Sequence, residues 1–167
     1  LTFRPKKVAK NYKKIWTENG SPLMALSLKQ KESLQSVLSD LEHSTADFKV
    51  ELGMTYLKPS IKDGLKKLDD WGAEKVIVLP LYPQYSTTTT ASVSDQLEEL
   101  NGAFSFNVKF IEDYHSHPAY ISALARSIKP KLKAEDKLVL SFHGIPKRYV
   151  TSKGDPYQEQ CENTASA

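Results

Sequence analysis

The run Lys-Val-Ile-Val-Leu-Pro-Leu at residues 75–81 restricts the fold more than any other stretch. It is nearly uniform in apolar and β-branched side chains. An alternating strand would leave one face to water; a uniform run fits a strand covered on both faces, as in parallel sheets flanked by helices. Helical patterns stand on either side. Ser60 restarts a helix that reaches about Trp71, and Gly72 closes it. After the loop 82–90, a further helix begins near Ala91 or Ser92 and reaches about Leu100, where Asn101-Gly102 ends it.

The same alternation extends along the chain. Residues 5–17 place Val8, Tyr12, Ile15 and Trp16 on one helical face, with lysines as the solvated face. Asn19-Gly20 stops that helix. Ser21-Pro22 then reads as an N-cap with proline in the first turn, opening a leucine-rich helix to about Leu41. Phe48, Val50, Leu52 and Met54 alternate, which predicts a strand. Strand, helix and strand over residues 48–81 predict a right-handed βαβ unit. Residues 105–111 alternate with Phe106, Val108 and Phe110 on one side. Residues 118–128 are helical, with Leu124 and Ile128 inward, and Pro130 stops them. Residues 138–142 form the next expected strand, and a last helix starts near Pro156. The fold class is α/β, with parallel sheets flanked by helices.

Composition excludes several functions. A net charge of +3 over 167 residues, without a basic block interleaved with aromatics, does not suggest nucleic acid. A single cysteine, Cys161, builds neither a disulfide framework nor an iron–sulfur cluster. No apolar run approaches the roughly 18 residues of a membrane span, and no signal-peptide pattern is present. These features predict a soluble, cytoplasmic protein.

The chemistry concentrates at the end of the expected strand 138–142, where Ser141 and Phe142 deliver His143 ahead of Gly144 and Pro146. Open parallel sheets place ligands at such carboxyl ends. An imidazole there can ligate a metal or move a proton near neutral pH; it can equally be satisfied by local hydrogen bonds. Tyr56 and Tyr85, just past strand ends, can flank a flat ligand or pack on neighbouring helices. The threonine run 87–90 offers stiff side chains and hydroxyls that cap helix starts. His115 and His117 beside Asp113 read as a polar, helix-capping loop rather than a chelate. His43 complements a helix end, and Glu98–Glu99 is a solvated face.

Four stretches, in order, resemble one family. They are Gly20-Ser21-Pro22-Leu23; Gly53-Met54-Thr55-Tyr56 with Pro59-Ser60-Ile61; the Leu-Tyr-Pro-Gln-Tyr-Ser stretch at 81–86 with its threonines; and Ser141 to Pro146 with Gly154-Asp155-Pro156-Tyr157 and Gln160-Cys161. On these motifs the chain resembles the ferrochelatases, in their bacterial, protoporphyrin type. The resemblance implies insertion of Fe2+ into protoporphyrin IX to form protohaem, with iron as substrate and no cofactor within this segment. It implies parts of two Rossmann-like halves, 1–90 closing the first and 91–167 opening the second. It implies His143 as catalytic base and metal ligand, and Tyr56, Tyr85, Ser86, Thr89 and Ser92 as porphyrin-binding residues. A helix start near Thr89 and Ser92 suits a propionate. Pro146 and Tyr157 read as architectural.

The chain opens at Leu1 and closes in an unfinished helical pattern, so the resemblance implies a central fragment lacking both ends, including the glutamate facing the histidine. Alone it is then expected to be inactive and marginally stable. Two other readings fit: a chelatase for coproporphyrin or for cobalt, and a porphyrin- or haem-binding module without catalysis. Peripheral contact with a membrane and the oligomeric state stay open.

Overall fold

The computed structural model describes residues 3–18, 20–41 and 45–167, with side chains from residue 8 onward. It divides into two compact units, 1–72 and 73–167. The expectation for His43 and the part of Asn19 in ending the first helix lie outside the described residues, as do the side chains of Lys6 and Lys7.

The first unit contains α1 (Phe3–Lys13), α2 (Pro22–Ser39) and α3 (Ile61–Asp70). Both predicted helix starts are present. The Ser21 side chain accepts from the Met24 N–H, with Pro22 in the first turn. Ser60 Oγ accepts from the Asp63 N–H at 3.1 Å while Asp63 Oδ2 accepts from the Ser60 N–H at 3.0 Å, a reciprocal cap. The Ser60 main-chain N–H, and to a lesser degree its hydroxyl, hold the Asp63 carboxyl below its usual pKa. Gly72 ends α3 at φ +86°, in the left-handed region.

The expected strand 48–54 is not formed. Its one ladder contact is a single parallel bridge from Met54 to Ser60. A strand is defined by a backbone partner, and here side chains take that place. Gln35 of α2 donates through Nε2 to the Phe48 carbonyl at 3.0 Å and accepts through Oε1 from the Val50 N–H at 2.8 Å. The segment lies tight on α3, since a Cβ at Gly53 would come within 2.9 Å of the Ile61 Cα. Glu51 pairs with Lys31 at 2.9 Å and lies 3.8 Å from Lys67. Without that first strand, the βαβ unit expected over 48–81 is absent among the described residues.

The second unit does contain a parallel pair joined by a helix. β1 (Lys75–Val78) pairs with β2 (Asn107–Phe110), Val76 opposite Val108, and α4 (Thr90–Glu99) lies between them in sequence. α5 (Pro118–Ile128), a 3-10 turn at Lys129–Lys131, α6 (Lys147–Lys153) and α7 (Tyr157–Ser166) follow. The architecture is α/β with a parallel sheet, as the alternation predicts. β1 ends short of residue 81, where Pro80 has no N–H to donate. Nor is it covered on both faces: Val76 is buried but Ile77 is 60% exposed.

The expected strand 138–142 is likewise unpaired. Leu138, Val139, Leu140 and Phe142 are exposed, Val139 at 83%. Its composition suits a sheet interior, and no neighbouring strand among the described residues supplies the backbone partner that would make it one. No motif announces α6, although Gly154 at φ +66° marks its end in the usual way.

Candidate functional site

The loop 82–90 carries most of the candidate porphyrin residues, and its backbone leaves β1 with polar groups that need partners. Those partners come from far along the chain. Asp155 Oδ2 accepts from Ser86 Oγ at 2.9 Å, from the Thr87 N–H at 2.8 Å and from Thr87 Oγ1 at 2.8 Å. Its other oxygen, Oδ1, accepts from the Tyr157 N–H at 3.0 Å. Asp155 is 3% exposed. Burial by itself raises a carboxyl pKa, yet the Thr87, Tyr157 and Ser86 hydrogen bonds outweigh it and hold Asp155 below its usual value.

α7 completes the clamp. Gln160 Oε1 accepts from the Tyr85 N–H at 2.7 Å. Gln84 donates through Nε2 to Thr164 Oγ1 at 2.9 Å, and that hydroxyl lies 2.9 Å from the His115 carbonyl and 3.0 Å from the Gln160 carbonyl. Gln84, Ser86, Thr90, Asp155 and Thr164 are all buried, so the interior of this unit is rich in polar groups. Polar groups out of water must be paired, and this network pairs them almost completely. Thr90 Oγ1 is the exception, buried without a partner among the described residues.

The threonines do not cap α4 as expected. Thr89 occupies the cap position but its side chain makes no cap bond. The Ser86 carbonyl takes the Thr89 and Ala91 N–H groups instead, at 3.1 and 3.2 Å. Ser86 itself is 1% exposed and its hydroxyl is engaged by Asp155. Tyr85, Thr89 and Ser92 are half-buried. Burial raises the Tyr85 phenol, with the Glu112, Asp155 and Asp95 charges adding to it.

His143 is exposed, four residues ahead of α6. The Tyr157 phenol is pushed up by burial and by the neighbouring Cys161 thiol, while a backbone hydrogen bond from His143 works the other way. Cys161 is buried and its thiol raised by that burial. His115 Nδ1 lies 2.7 Å from Asp113 Oδ1, and His117 Nδ1 accepts from the Ala119 N–H at the start of α5, the polar capping loop that the sequence predicts. Tyr56 belongs to the other unit, where it is 75% exposed.

The geometry thus binds the Leu-Tyr-Pro-Gln-Tyr-Ser stretch to the Gly-Asp-Pro-Tyr stretch and to Gln160. A family model described as Ferrochelatase matches residues 1–167. The chain belongs to the ferrochelatase family. It is 51% identical over 170 residues to "Ferrochelatase 1" of Shewanella oneidensis, which covers 99% of this chain and 50% of that protein. It is 47% identical over 171 residues to a ferrochelatase of Haemophilus influenzae, covering 100% and 51%, and 44% identical over 170 residues to one of Marinomonas, covering 99% and 51%. The chain spans about half the length of these relatives.

Within this ferrochelatase chain, Asp155, Gln84, Gln160 and Thr164 are the residues that sequence reasoning did not single out. The first three lie within the motif stretches, but nothing local says that a carboxylate at 155 will meet hydroxyls at 86 and 87. Pro156 restricts the backbone of Asp155, but it carries no signal of what the carboxylate meets.

Proposed function

We propose that the full-length protein is a ferrochelatase that inserts Fe2+ into protoporphyrin IX. The observation that carries this reading is the match of the ferrochelatase family over the entire chain, including the two stretches that Asp155 holds together. In the reaction two pyrrole N–H bonds break, bonds from iron to the ring nitrogens form, and two protons leave.

His143 takes the role of base and metal ligand. Its ring is exposed, on a segment that leads into α6. A group with a pKa near neutrality removes such protons effectively, and imidazole nitrogen suits ferrous iron. Tyr85, Ser86, Thr89 and Ser92 form one wall for the macrocycle, Ser86 through the loop its hydroxyl anchors, with the start of α4 toward a propionate. Tyr56 is a further candidate porphyrin residue on the family resemblance alone. A ring held against such walls is bent to expose its nitrogens. The division into two Rossmann-like halves near residue 90 is part of the same proposal. So are cytoplasmic location and contact with a membrane surface. Among the described residues, no helix is long and apolar enough to cross a membrane.

Anaerobic iron insertion into protoporphyrin, followed by absorbance, tests the reading with the full-length protein and its His143→Ala variant. Metallation by the first and not the second is the expected result. Porphyrin binding without metallation in the full-length protein overturns the enzyme reading in favour of a binding module. Preference for cobalt or for coproporphyrin replaces it with another chelatase.

A further inference from the structure

We infer that Asp155 is a positioning residue for the porphyrin wall, setting the loop that carries Tyr85, Ser86 and Thr89 relative to the segment that carries His143. The inference rests on the ferrochelatase reading above. Asp155 touches no group to which that reading assigns chemistry except Ser86, so its action runs through other residues.

The carboxylate is itself fixed before it fixes anything else. α6 ends at Gly154 in a left-handed turn, and the Asp155 N–H donates to the Tyr149 carbonyl at 3.1 Å. Asp155 therefore moves with α6, the helix that begins four residues after His143. The hydrogen bonds that its side chain accepts then divide between the two stretches. One holds the Tyr157 N–H at the start of α7. Three hold Ser86 and Thr87. Displacing the Ser86–Thr87 turn from the end of α6 breaks charge-assisted bonds to a buried carboxylate, so that turn and the end of α6 are held together.

A hydrophobic contact would hold the loop without fixing its orientation. A carboxylate accepting main-chain and side-chain donors from the same residue, Thr87, fixes both position and rotation. This is the geometry a wall needs if ring nitrogens are to be presented to one imidazole, where an error of about 1 Å can cost about a hundredfold.

The test uses the full-length protein with Asp155→Asn and Thr87→Val. Porphyrin dissociation constants come from the Soret band, KM is measured separately for porphyrin and for iron, and melting is recorded alongside. Asp155→Asn keeps the shape but turns amide protons toward donors. It is expected to lower kcat per folded molecule about a hundredfold, to raise porphyrin Kd and KM, and to leave the KM for iron unchanged. Thr87→Val removes one hydroxyl donor, keeps the charge, and is expected to change the same quantities in the same direction, kcat by about tenfold. It serves where Asp155→Asn does not fold. A merely structural role lowers the melting temperature and leaves porphyrin Kd per folded molecule untouched. That pattern, in Thr87→Val or in a folded Asp155→Asn, overturns the inference while the ferrochelatase reading stands. A wild-type protein that binds no porphyrin overturns both.

Discussion

Residues 84–90 and residues 138–143 both carry family motifs in the same unit, and they are held in opposite ways. The first stretch has small polar side chains, and its Gln84, Ser86 and Thr90 are buried. The second has Leu138, Val139, Leu140 and Phe142, and all four are exposed. Hydropathy alone would have assigned them the other way round. The difference lies in what each needs as a partner. Hydroxyls and amides are satisfied by single side chains, which Asp155, Gln160 and Thr164 supply within this chain. An apolar strand needs a whole neighbouring edge and a covering layer, which the described residues do not provide.

The largest effect that probes this contrast lies at the exposed stretch. His143→Ala in the full-length protein is expected to lower kcat by about 10²–10⁴-fold, the usual span for a positioned proton acceptor. Its exposed ring contributes little packing, so the denaturation midpoint should stay within error. A large loss of stability instead would place His143 in the structural network and dissolve the contrast.

Next in size is the buried stretch. Asp155→Asn leaves buried donors facing an amide, at a cost of about 2–3 kcal/mol in unfolding free energy. This effect has a defined pH dependence. Because Asp155 is held below its ordinary carboxyl value of 3.8, its contribution is complete above that value and is lost as pH falls through the lower folded value. Acid unfolding curves for wild type and variant should therefore stand apart above about pH 5 and converge as the folded carboxylate takes up its proton. Curves that stay parallel throughout would show that the carboxylate is not the anchor.

A smaller loss, about 1–2 kcal/mol, is expected for Thr164→Val, which removes the acceptor for Gln84 and the donor shared by two carbonyls. Chemical denaturation measures it. Unchanged stability would mean that water enters and replaces the hydroxyl, so that the network is open rather than closed.

The mildest prediction concerns exchange rates. In the 167-residue chain, amides of 138–143 should exchange rapidly with deuterium while Tyr85 and Thr87 are protected. In the full-length protein both stretches should be slow, the first having gained a strand partner. Equal rates in the short chain would erase the distinction between them.

Much of this protein was legible residue by residue. Ser21-Pro22 and Ser60 announced their helices because a cap needs only the next three residues. The signal at the start of α5 was equally local, with His117 as the cap ahead of Pro118. The α/β alternation and the family motifs belong to the same class, since both are written in consecutive residues.

Consecutive residues thus sufficed for the starts of α2, α3 and α5, for the α/β class and for the family. Two features emerged only once the chain was folded. Strand-like segments at 48–54 and 138–142 stay unpaired, because pairing depends on backbone edges far away in the chain. Asp155 reaches Ser86 and Thr87 across 69 and 68 residues. A carboxylate's partner is set by where folding brings it, and no local pattern encodes that distance.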